Sequence, residues 1–385
     1  MSAATIGTRI GRIGAVGGLV LGAALAGCSS DADGESAAPV TGSAPASSTP
    51  AAVPGSAGTP ASVPGVKVQK TLATGLRVPW GVAFLADGSA LVAQRPTGRV
   101  VRVGADGGTT PVGTVPGVAD QGEGGLLGLA VLPGKSPDVT VFAYLTSQAG
   151  DNRVVRMTFD GTRLGKKATP VLTGIPSGRI HNGGLVRVGP DGKLWIGTGE
   201  GGQTSRAQDR SSLGGKILRI DVDGSIPDDN PFPGSPVYSL GHRNVQGLDF
   251  DGSGQPWAIE FGQNTWDELN RIEPGGNYGW PEVEGKEPGF IQPLVQWRTD
   301  DASPSGMTIV DDVVYLGALK GERLWQVPLN GDTTGTPKAY LKGQFGRIRN
   351  VAAAPDGTLW ITTSNRDNRG DPRPGDDKVV QLALR

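Results

Sequence analysis

The chain has 385 residues, of which 63 are glycine and 30 are proline, and its formal net charge is -1 with 19% charged residues. Glycine and proline together exceed their usual share of roughly 12%, which excludes long helices as the main architecture. The near-neutral charge excludes a polybasic surface, so no nucleic acid is expected as a partner, and it also excludes an acidic solvating chain.

The first 27 residues have the composition of an export signal peptide. Arg9 and Arg12 precede an uncharged, small and apolar stretch from Ile13 to Ala26, which is too short and too rich in glycine for a stable membrane span. The stretch leads to Cys28, the only cysteine, in Leu-Ala-Gly-Cys. This ending resembles a bacterial lipobox, in which the cysteine is lipidated after cleavage. The resemblance implies a protein of the cell envelope, attached to the extracytoplasmic face of the membrane by a lipid anchor only. The alternative is a non-lipidated signal with a chance cysteine.

Residues 28–66 are predicted to form a disordered tether. From residue 29 onward this segment consists mainly of Ala, Ser, Pro, Gly and Thr, so it cannot bury enough apolar surface to offset the entropy lost on ordering. A single cysteine allows no disulfide within the chain. The stability of an exported domain must therefore come from sheet packing and from a bound ion or cofactor.

From residue 79 onward a pattern of short strands recurs six times. Each unit has an apolar strand, a turn that is often Asp-Gly, a second apolar strand that often carries Trp, and a third strand. The units begin near Gly81, Gly125, Gly183, Val245, Ser305 and Asn350. This spacing suits four-stranded blades with insertions. We therefore predict an all-β fold, a six-bladed β-propeller with four-stranded blades over residues 67–385; the alternative is a pair of β-sandwiches.

An extended segment from Val68 to Leu72 precedes the first unit. We predict that it forms the outer strand of the last blade and closes the ring, because closure removes a free sheet edge. The residues before each first strand then surround the mouth of a central channel, where a propeller is expected to bind its ligand.

The predicted mouth is unusually polar. Residues at these positions are Glu123, His181, Asn182, His242, Arg243, Asn244, Arg347 and Arg349, and Lys320 lies in a loop that reaches one face. Arg243, Lys320, Arg347 and Arg349 are predicted to converge. Converging cations require an anion, and guanidinium groups favour carboxylate or phosphate. The alternative interpretation of each cation, taken singly, is an ordinary surface residue.

Both histidines of the chain lie in these loops. Histidine is the natural proton acceptor at neutral pH. His242, within Gly-His-Arg-Asn, is interpreted as structural. His181 is followed by Gly183 and Gly184, which allow a ligand to approach the backbone, so it is the better candidate for a catalytic base.

Two specific motifs are Gly-His-Arg-Asn-Val-Gln-Gly at residues 241–247 and Gly-x-Asn-Tyr-Gly-Trp-Pro at residues 275–281. Further matches lie at residues 78–81, 124–128, 181–184, 207–209, 214–221 and 267–270. Together they resemble the soluble pyrroloquinoline-quinone (PQQ) dependent sugar dehydrogenases, the glucose/sorbosone dehydrogenase-like six-bladed propellers. The lipobox resembles the lipoprotein branch of this family that is common in actinobacteria.

The resemblance implies oxidation of an aldose to a lactone, with hydride transfer to PQQ and electrons passing on to an unknown acceptor. It assigns catalysis to His181 as the general base, to Glu200 as its support and to Arg243. It assigns the cofactor to Arg243, Asn244, Lys320, Arg347, Arg349 and Glu123. Glu123 stands where the family usually has Gln, so this carboxylate beside an anionic cofactor is expected to be paired or protonated.

The resemblance also implies a calcium ion that bridges the quinone and the backbone carbonyls of a Gly-Pro segment. That segment aligns with Gly262 and Gln263. Calcium prefers oxygen ligands and would act as a Lewis acid on the quinone carbonyl. Because Gln263 replaces proline, we expect this loop to be less rigid.

Two other functions remain open from the sequence. The first is an inactive propeller lipoprotein that binds an anionic ligand, a sugar or a protein partner at the cell envelope. The second is a calcium-dependent lactonase of similar ring architecture.

Several loops between blades are shorter than those of the long-loop glucose enzymes, which favours an open site with broad aldose tolerance.

Overall fold

The computed structural model describes residues 63–132 and 138–385. The predicted signal peptide, the lipidation site Cys28 and the tether up to residue 62 lie outside the described residues. Within the part of the chain that is described, no helix is long and apolar enough to cross a membrane.

Short strands make up nearly all the regular structure of the described residues. In chain order they are β1 (Val66–Ala73), β2 (Pro79–Phe84), β3 (Ala90–Gln94), β4 (Arg99–Val103), β5 (Thr109–Thr114), β6 (Leu126–Leu132), β7 (Val139–Thr146), β8 (Asp151–Phe159), β9 (Thr169–Pro176), β10 (Leu185–Val188), β11 (Leu194–Gly197), β12 (Lys216–Ile220), β13 (Val237–Leu240), β14 (Val245–Phe250), β15 (Pro256–Glu260), β16 (Trp266–Arg271), β17 (Val295–Arg298), β18 (Pro304–Val310), β19 (Val313–Ala318), β20 (Arg323–Asn330), β21 (Thr333–Thr334), β22 (Lys338–Tyr340), β23 (Ile348–Ala353), β24 (Leu359–Thr363) and β25 (Val379–Leu384). One turn of 3-10 helix, Thr204–Ala207, follows β11.

The strands form six antiparallel sheets arranged as a propeller. The sheets are β2 to β5, β6 to β9, β10 to β13, β14 to β17, β18 to β22, and β23 to β25 with β1. In the fifth sheet both β21 and β22 pair with β20. The inner strands β2, β6, β10, β14, β18 and β23 each contact the next one around a closed circle. This circle confirms the predicted six-bladed propeller and excludes a pair of sandwiches.

The N-terminal strand closes the ring, as predicted. β1 pairs with β25 from Val66 opposite Leu384 to Ala73 opposite Val379. Arg385 also donates its backbone N–H to Gly65 at 2.9 Å. The strand therefore begins two residues before Val68, and its first residue, Val66, lies in the segment predicted as tether.

Neighbouring blades cover both faces of each sheet, which explains why the middle strands are mainly apolar and are buried. Every residue of β3, β19 and β24 is buried. Large side chains fill the space between blades, and Trp257 and Trp360 are fully buried. Full burial of a large apolar side chain stabilises the fold by about 1.5–3 kcal/mol.

The inner strands enclose a channel with a cavity of about 250 Å³. Because the strands of a blade alternate in direction, two sets of loops lie at the same end of this channel. One set precedes each inner strand, and the other joins the second and third strands of each blade. We refer to this end as the mouth.

Candidate active site

His181 lies at the mouth, in the loop before β10, and forms a close pair with Glu200, which follows β11 in the same blade. The Nδ1 atom of His181 lies 2.7 and 2.8 Å from the two carboxylate oxygens of Glu200. A carboxylate only accepts hydrogen bonds, so Nδ1 donates and Nε2 keeps the free lone pair. Nε2 has no hydrogen-bond partner among the described residues. The arrangement is that of an oriented base.

The backbone around this pair is tightly constrained. His181 has a φ of 55°, a left-handed conformation that is uncommon for non-glycine residues and is often found at functional sites. A Cβ atom on Gly199 would lie 2.0 Å from the His181 carbonyl oxygen. Only glycine therefore fits at position 199, and the second strand of the blade can approach the base closely.

Glu123 contacts the same loop from the neighbouring blade. Its Oε2 atom accepts the backbone N–H of His181 at 3.0 Å, and its Oε1 atom lies 2.7 Å from Nη2 of Arg369. The carboxylate is thus paired with a cation, as expected for a carboxylate near an anion site. Arg369 was not identified from the sequence.

His242 is structural, as interpreted from the sequence. It is fully buried, its Nδ1 lies 2.8 Å from Glu260 Oε1, and its Nε2 lies 2.8 Å from Ser239 Oγ. The ring stacks on Tyr278 with a centroid distance of 4.6 Å. Both ring nitrogens are occupied, so His242 has no free nitrogen to accept a proton from a ligand.

Arg243 presents a buried guanidinium group at the mouth. Its Nε donates to Gln263 Oε1 at 3.0 Å and its Nη1 to the Phe261 carbonyl at 3.3 Å. None of its contacts among the described residues is an ion pair. Burial lowers the pKa of Arg243, whereas the more distant charges of Glu200 and Glu123 act to raise it. A buried cation without a direct counter-ion suits an anionic ligand.

Asn244 joins two blades behind the base. Its Oδ1 atom accepts the backbone N–H of Gly183 at 2.9 Å, and its backbone forms a bridge with Gly199. Asn244 thereby holds the loop that follows His181.

Arg347 and Arg349 point to the same side of their strand, as predicted, and both contact Asp367. The Nη2 atoms of Arg347 and Arg349 lie 3.0 and 3.4 Å from Asp367 Oδ2. Burial acts to raise the pKa of Asp367, but the charges of Arg349 and Arg347 outweigh it and hold the pKa below its usual value. The sequence reasoning missed Asp367. It lies in the loop after β24, and a signal was available, because Glu200 also lies in the loop after the second strand of its blade.

Arg349 retains unused hydrogen-bonding capacity. Its Nη1 donates to Gln246 Oε1 at 2.9 Å and to Ser305 Oγ at 3.1 Å, but its Nε is buried without a partner among the described residues. Burial lowers the pKa of Arg349 to about 10. The group is still charged at neutral pH and is only partly neutralised by Asp367.

Lys320 contacts none of Arg243, Arg347 and Arg349. Its side chain is 59% exposed and forms an ion pair with Asp300. Arg243, Arg347 and Arg349 are thus buried, whereas Lys320 lies on an exposed loop of the fifth blade, and the convergence of the four cations stays a prediction.

The loop that contains Gly262 and Gln263 is firmly held, although it lacks proline. A single oxygen of Glu284 accepts four consecutive backbone N–H groups, at residues 263–266, over 2.8–3.0 Å. Asp267 accepts the N–H of Gly262 at 2.9 Å. Glu284 therefore supplies a constraint on this loop in place of proline, and the lower rigidity stays a prediction.

The carbonyl groups of Gly262 and Gln263 accept no hydrogen bond from the described residues. A Cβ atom at position 262 would lie 1.9 Å from the Trp266 carbonyl oxygen, so this position requires glycine. No group of three or more His, Cys, Asp or Glu side chains in the described ranges is arranged to hold a metal. Free carbonyl oxygens are nevertheless hard ligands of the kind that calcium takes.

Comparison with known proteins agrees with the motifs. Residues 76–370 match the sequence model of the family described as "Glucose / Sorbosone dehydrogenase". The chain belongs to the glucose/sorbosone dehydrogenase family. This confirms the resemblance to the family, whereas the assignment to its lipoprotein branch stays a prediction.

Three relatives of this glucose/sorbosone dehydrogenase family member illustrate the similarity. The PQQ-bound structure of aldose sugar dehydrogenase from Streptomyces coelicolor is 52% identical, with a TM-score of 0.80, and the match covers 83% of this chain and 98% of that one. Aldose sugar dehydrogenase YliI of Escherichia coli is 30% identical over 74% of this chain and 86% of its own length. The uncharacterized protein slr1608 of Synechocystis is 34% identical over 77% and 83%, respectively.

Proposed function

We propose that this member of the glucose/sorbosone dehydrogenase family is a PQQ- and calcium-dependent dehydrogenase that oxidises aldoses to lactones. The observation that carries the proposal is the His181–Glu200 pair, whose free Nε2 lies at the same mouth as a set of incompletely neutralised arginines. The 52% identity to a PQQ-bound aldose sugar dehydrogenase supports it.

The arginines fit a planar tricarboxylate such as PQQ. Arg243 has no direct ion pair, and Arg347 and Arg349 share one carboxylate, so the three cations exceed the anionic charge in contact with them. Bidentate guanidinium groups suit carboxylates. Arg243, Arg347 and Arg349 would hold the cofactor, with Asn244 behind the base and Lys320 and Glu123 at the rim.

In this proposal His181 moves the proton. Its Nε2 accepts the proton of the anomeric hydroxyl group, and Glu200 holds Nδ1–H and stabilises the positive charge that develops on the ring. When bound, PQQ would supply the acceptor for the hydride of the anomeric carbon, and a calcium ion held by the carbonyls of Gly262 and Gln263 would supply Lewis-acid chemistry. The sugar thereby loses two electrons and two hydrogens and becomes a lactone.

The test uses a fragment that begins at Val63, because the carbonyl of Pro64 accepts a hydrogen bond from Gln326. PQQ and calcium are added while the absorbance of the cofactor is followed, and aldoses are then offered with an artificial electron acceptor. We expect both binding and oxidation. Absence of PQQ binding by the folded fragment would instead favour the binding-lipoprotein alternative.

The role of His181 is tested by His181→Gln. We expect turnover to fall by about 10²-fold or more, as for loss of a general base, with PQQ binding retained. The matched control is His242→Gln, which should reduce the melting temperature because His242 is buried and doubly hydrogen bonded. Undiminished turnover in His181→Gln would exclude His181 as the base.

We also propose that Cys28 is lipidated and holds the protein at the extracytoplasmic face of the cell membrane. The lipobox-like ending of the N-terminal segment supports this location. Replacement by Cys28→Ser should release the protein from washed membranes. Retention of the variant on membranes would contradict lipid anchoring at this residue.

A further inference from the structure

A second basic pocket lies beside the mouth, where loops of the first, second, third and sixth blades meet. Its cavity has a volume of about 400 Å³ and is lined by Arg77, Arg95, Arg179 and Arg366, with Asp120 as the acidic residue of the lining. We call it the arginine pocket. None of its arginines forms an ion pair among the described residues. Four cations thus face one carboxylate, and the pocket has an excess of positive charge.

Arg95 makes this pocket more than a patch of surface cations. The residue is only 8% exposed. Its Nη1 donates to the Gly122 carbonyl at 2.8 Å, and its Nε is buried without any hydrogen-bond partner in the described part of the chain. A buried, unpaired cation is costly unless an anion accompanies it. The pocket therefore has the chemistry of an anion site.

The arginine pocket adjoins the proposed catalytic base. The Arg179 carbonyl accepts the backbone N–H of Glu123 at 2.9 Å, and Glu123 in turn accepts the N–H of His181. Arg179 lies two residues before His181, and two residues span at most about 7 Å. One small molecule can therefore place an anionic group in the pocket and still reach the base.

We propose that the arginine pocket binds an anionic group of the sugar substrate, a carboxylate or phosphate group remote from the carbon that is oxidised. This inference rests on the proposed function and specifies its substrate class. The proposed function assigns Arg243, Arg347 and Arg349 to the cofactor, which leaves the arginine pocket for the substrate. The protein should accordingly prefer hexuronates or hexose 6-phosphates over neutral hexoses.

The test compares kcat/KM for glucose, glucuronate and glucose 6-phosphate at constant ionic strength, with the full-length protein loaded with PQQ and calcium. We expect at least one anionic sugar to exceed glucose by about tenfold or more, the value expected for charged hydrogen bonds. In the double variant Arg179→Gln/Arg366→Gln, whose two side chains are exposed, this ratio should fall about tenfold. Arg99→Gln, an exposed arginine outside the pocket, is the control and should keep the ratio. The two anionic sugars show whether carboxylate or phosphate is the better ligand.

A binding measurement separates this inference from the proposed function. Glucuronate and glucose 6-phosphate should raise the melting temperature of the PQQ-loaded protein, and the double variant should lose this shift. A rise in melting temperature that depends on Arg179 and Arg366, without turnover of any sugar, would support anion binding in the arginine pocket. The same result would contradict the proposed dehydrogenase activity. Oxidation of neutral and anionic sugars with equal kcat/KM, or a ratio unchanged in the double variant, would overturn the pocket and leave the dehydrogenase standing.

Discussion

Single carboxylates organise the mouth by holding donors in fixed directions. Glu200 holds the ring of His181, and Glu284 holds four backbone N–H groups of one loop. Glu260 accepts both His242 Nδ1 and the backbone N–H of Arg243, each at 2.8 Å. Because an ionised carboxylate offers only acceptors, each one determines which way its partners point.

Asp377, in contrast, is a buried carboxyl group with only one of its two oxygens hydrogen bonded. Its Oδ1 atom accepts the backbone N–H of Asn365 at 2.6 Å, but its Oδ2 atom is buried without a partner among the described residues. Burial raises the pKa of Asp377 to about 6. Between pH of about 4 and 6 the folded protein therefore keeps a proton on Asp377 that the unfolded chain has released. Protonation of Asp377 favours the folded state, and this stabilisation is lost as the pH rises through 6.

Replacement by Asp377→Asn should flatten that part of the stability profile. The amide cannot ionise, so above pH 6 the variant avoids a penalty of about 1–3 kcal/mol that is borne by the ionised aspartate. Denaturant unfolding from pH 4 to 7 measures the effect, and Asp371→Asn, an exposed aspartate, is the control. Equal slopes for Asp377→Asn and the parent protein would show that Asp377 does not carry the shift.

At the scale of the element, the loop after the second strand of a blade supplies the partner for a residue before the first strand. In the third blade Glu200 follows β11 and meets His181 before β10. In the sixth blade Asp367 follows β24 and meets Arg347 before β23. The antiparallel pairing of the two strands explains this, because it brings the end of one strand beside the beginning of the other.

Replacement by Asp367→Asn tests the balance of charge in the sixth blade. Removing the shared carboxylate leaves Arg347 and Arg349 buried without a counter-ion, so the free energy of unfolding should fall by about 2–4 kcal/mol. Binding of PQQ should become tighter, because an internal competitor for the arginines is lost. Denaturant unfolding and absorbance titration measure the two effects. Weaker binding of PQQ would mean that Asp367 chiefly orients the arginines.

At the scale of the whole molecule, the ring depends on the pairing of the two ends of the described chain. β1 covers the edge of β25, and Leu72 of β1 is 3% exposed within a core shared with Trp360. The sixth blade carries Arg347, Arg349 and Asp367. Closure of the ring therefore supports both the stability of the propeller and the geometry of the mouth.

We expect Leu72→Asp to destabilise the whole propeller by more than about 4 kcal/mol, since it buries an unpaired charge. The matched control is Gln69→Asp, which introduces the same side chain at an exposed position of the same strand. Thermal unfolding should be affected only in the first variant. Similar melting temperatures for the two variants would show that β1 contributes little to closure.

The sequence by itself determined the architecture, because a blade is a local unit. Each of the six repeats contains its own turns and apolar strands within one continuous segment, and the same period recurs along the chain. The positions of His181, Arg243, Arg347 and Arg349 at the mouth followed from the same pattern.

Only the tertiary structure decided which charged groups meet. Gln246 and Arg349 are 103 residues apart in the chain, and Glu123 pairs with Arg369 from another blade. Arg95 and Arg366 line one pocket because the ring brings the first and sixth blades together. Such pairings depend on closure of the circle and on the direction of individual loops, and no local periodicity records either of them.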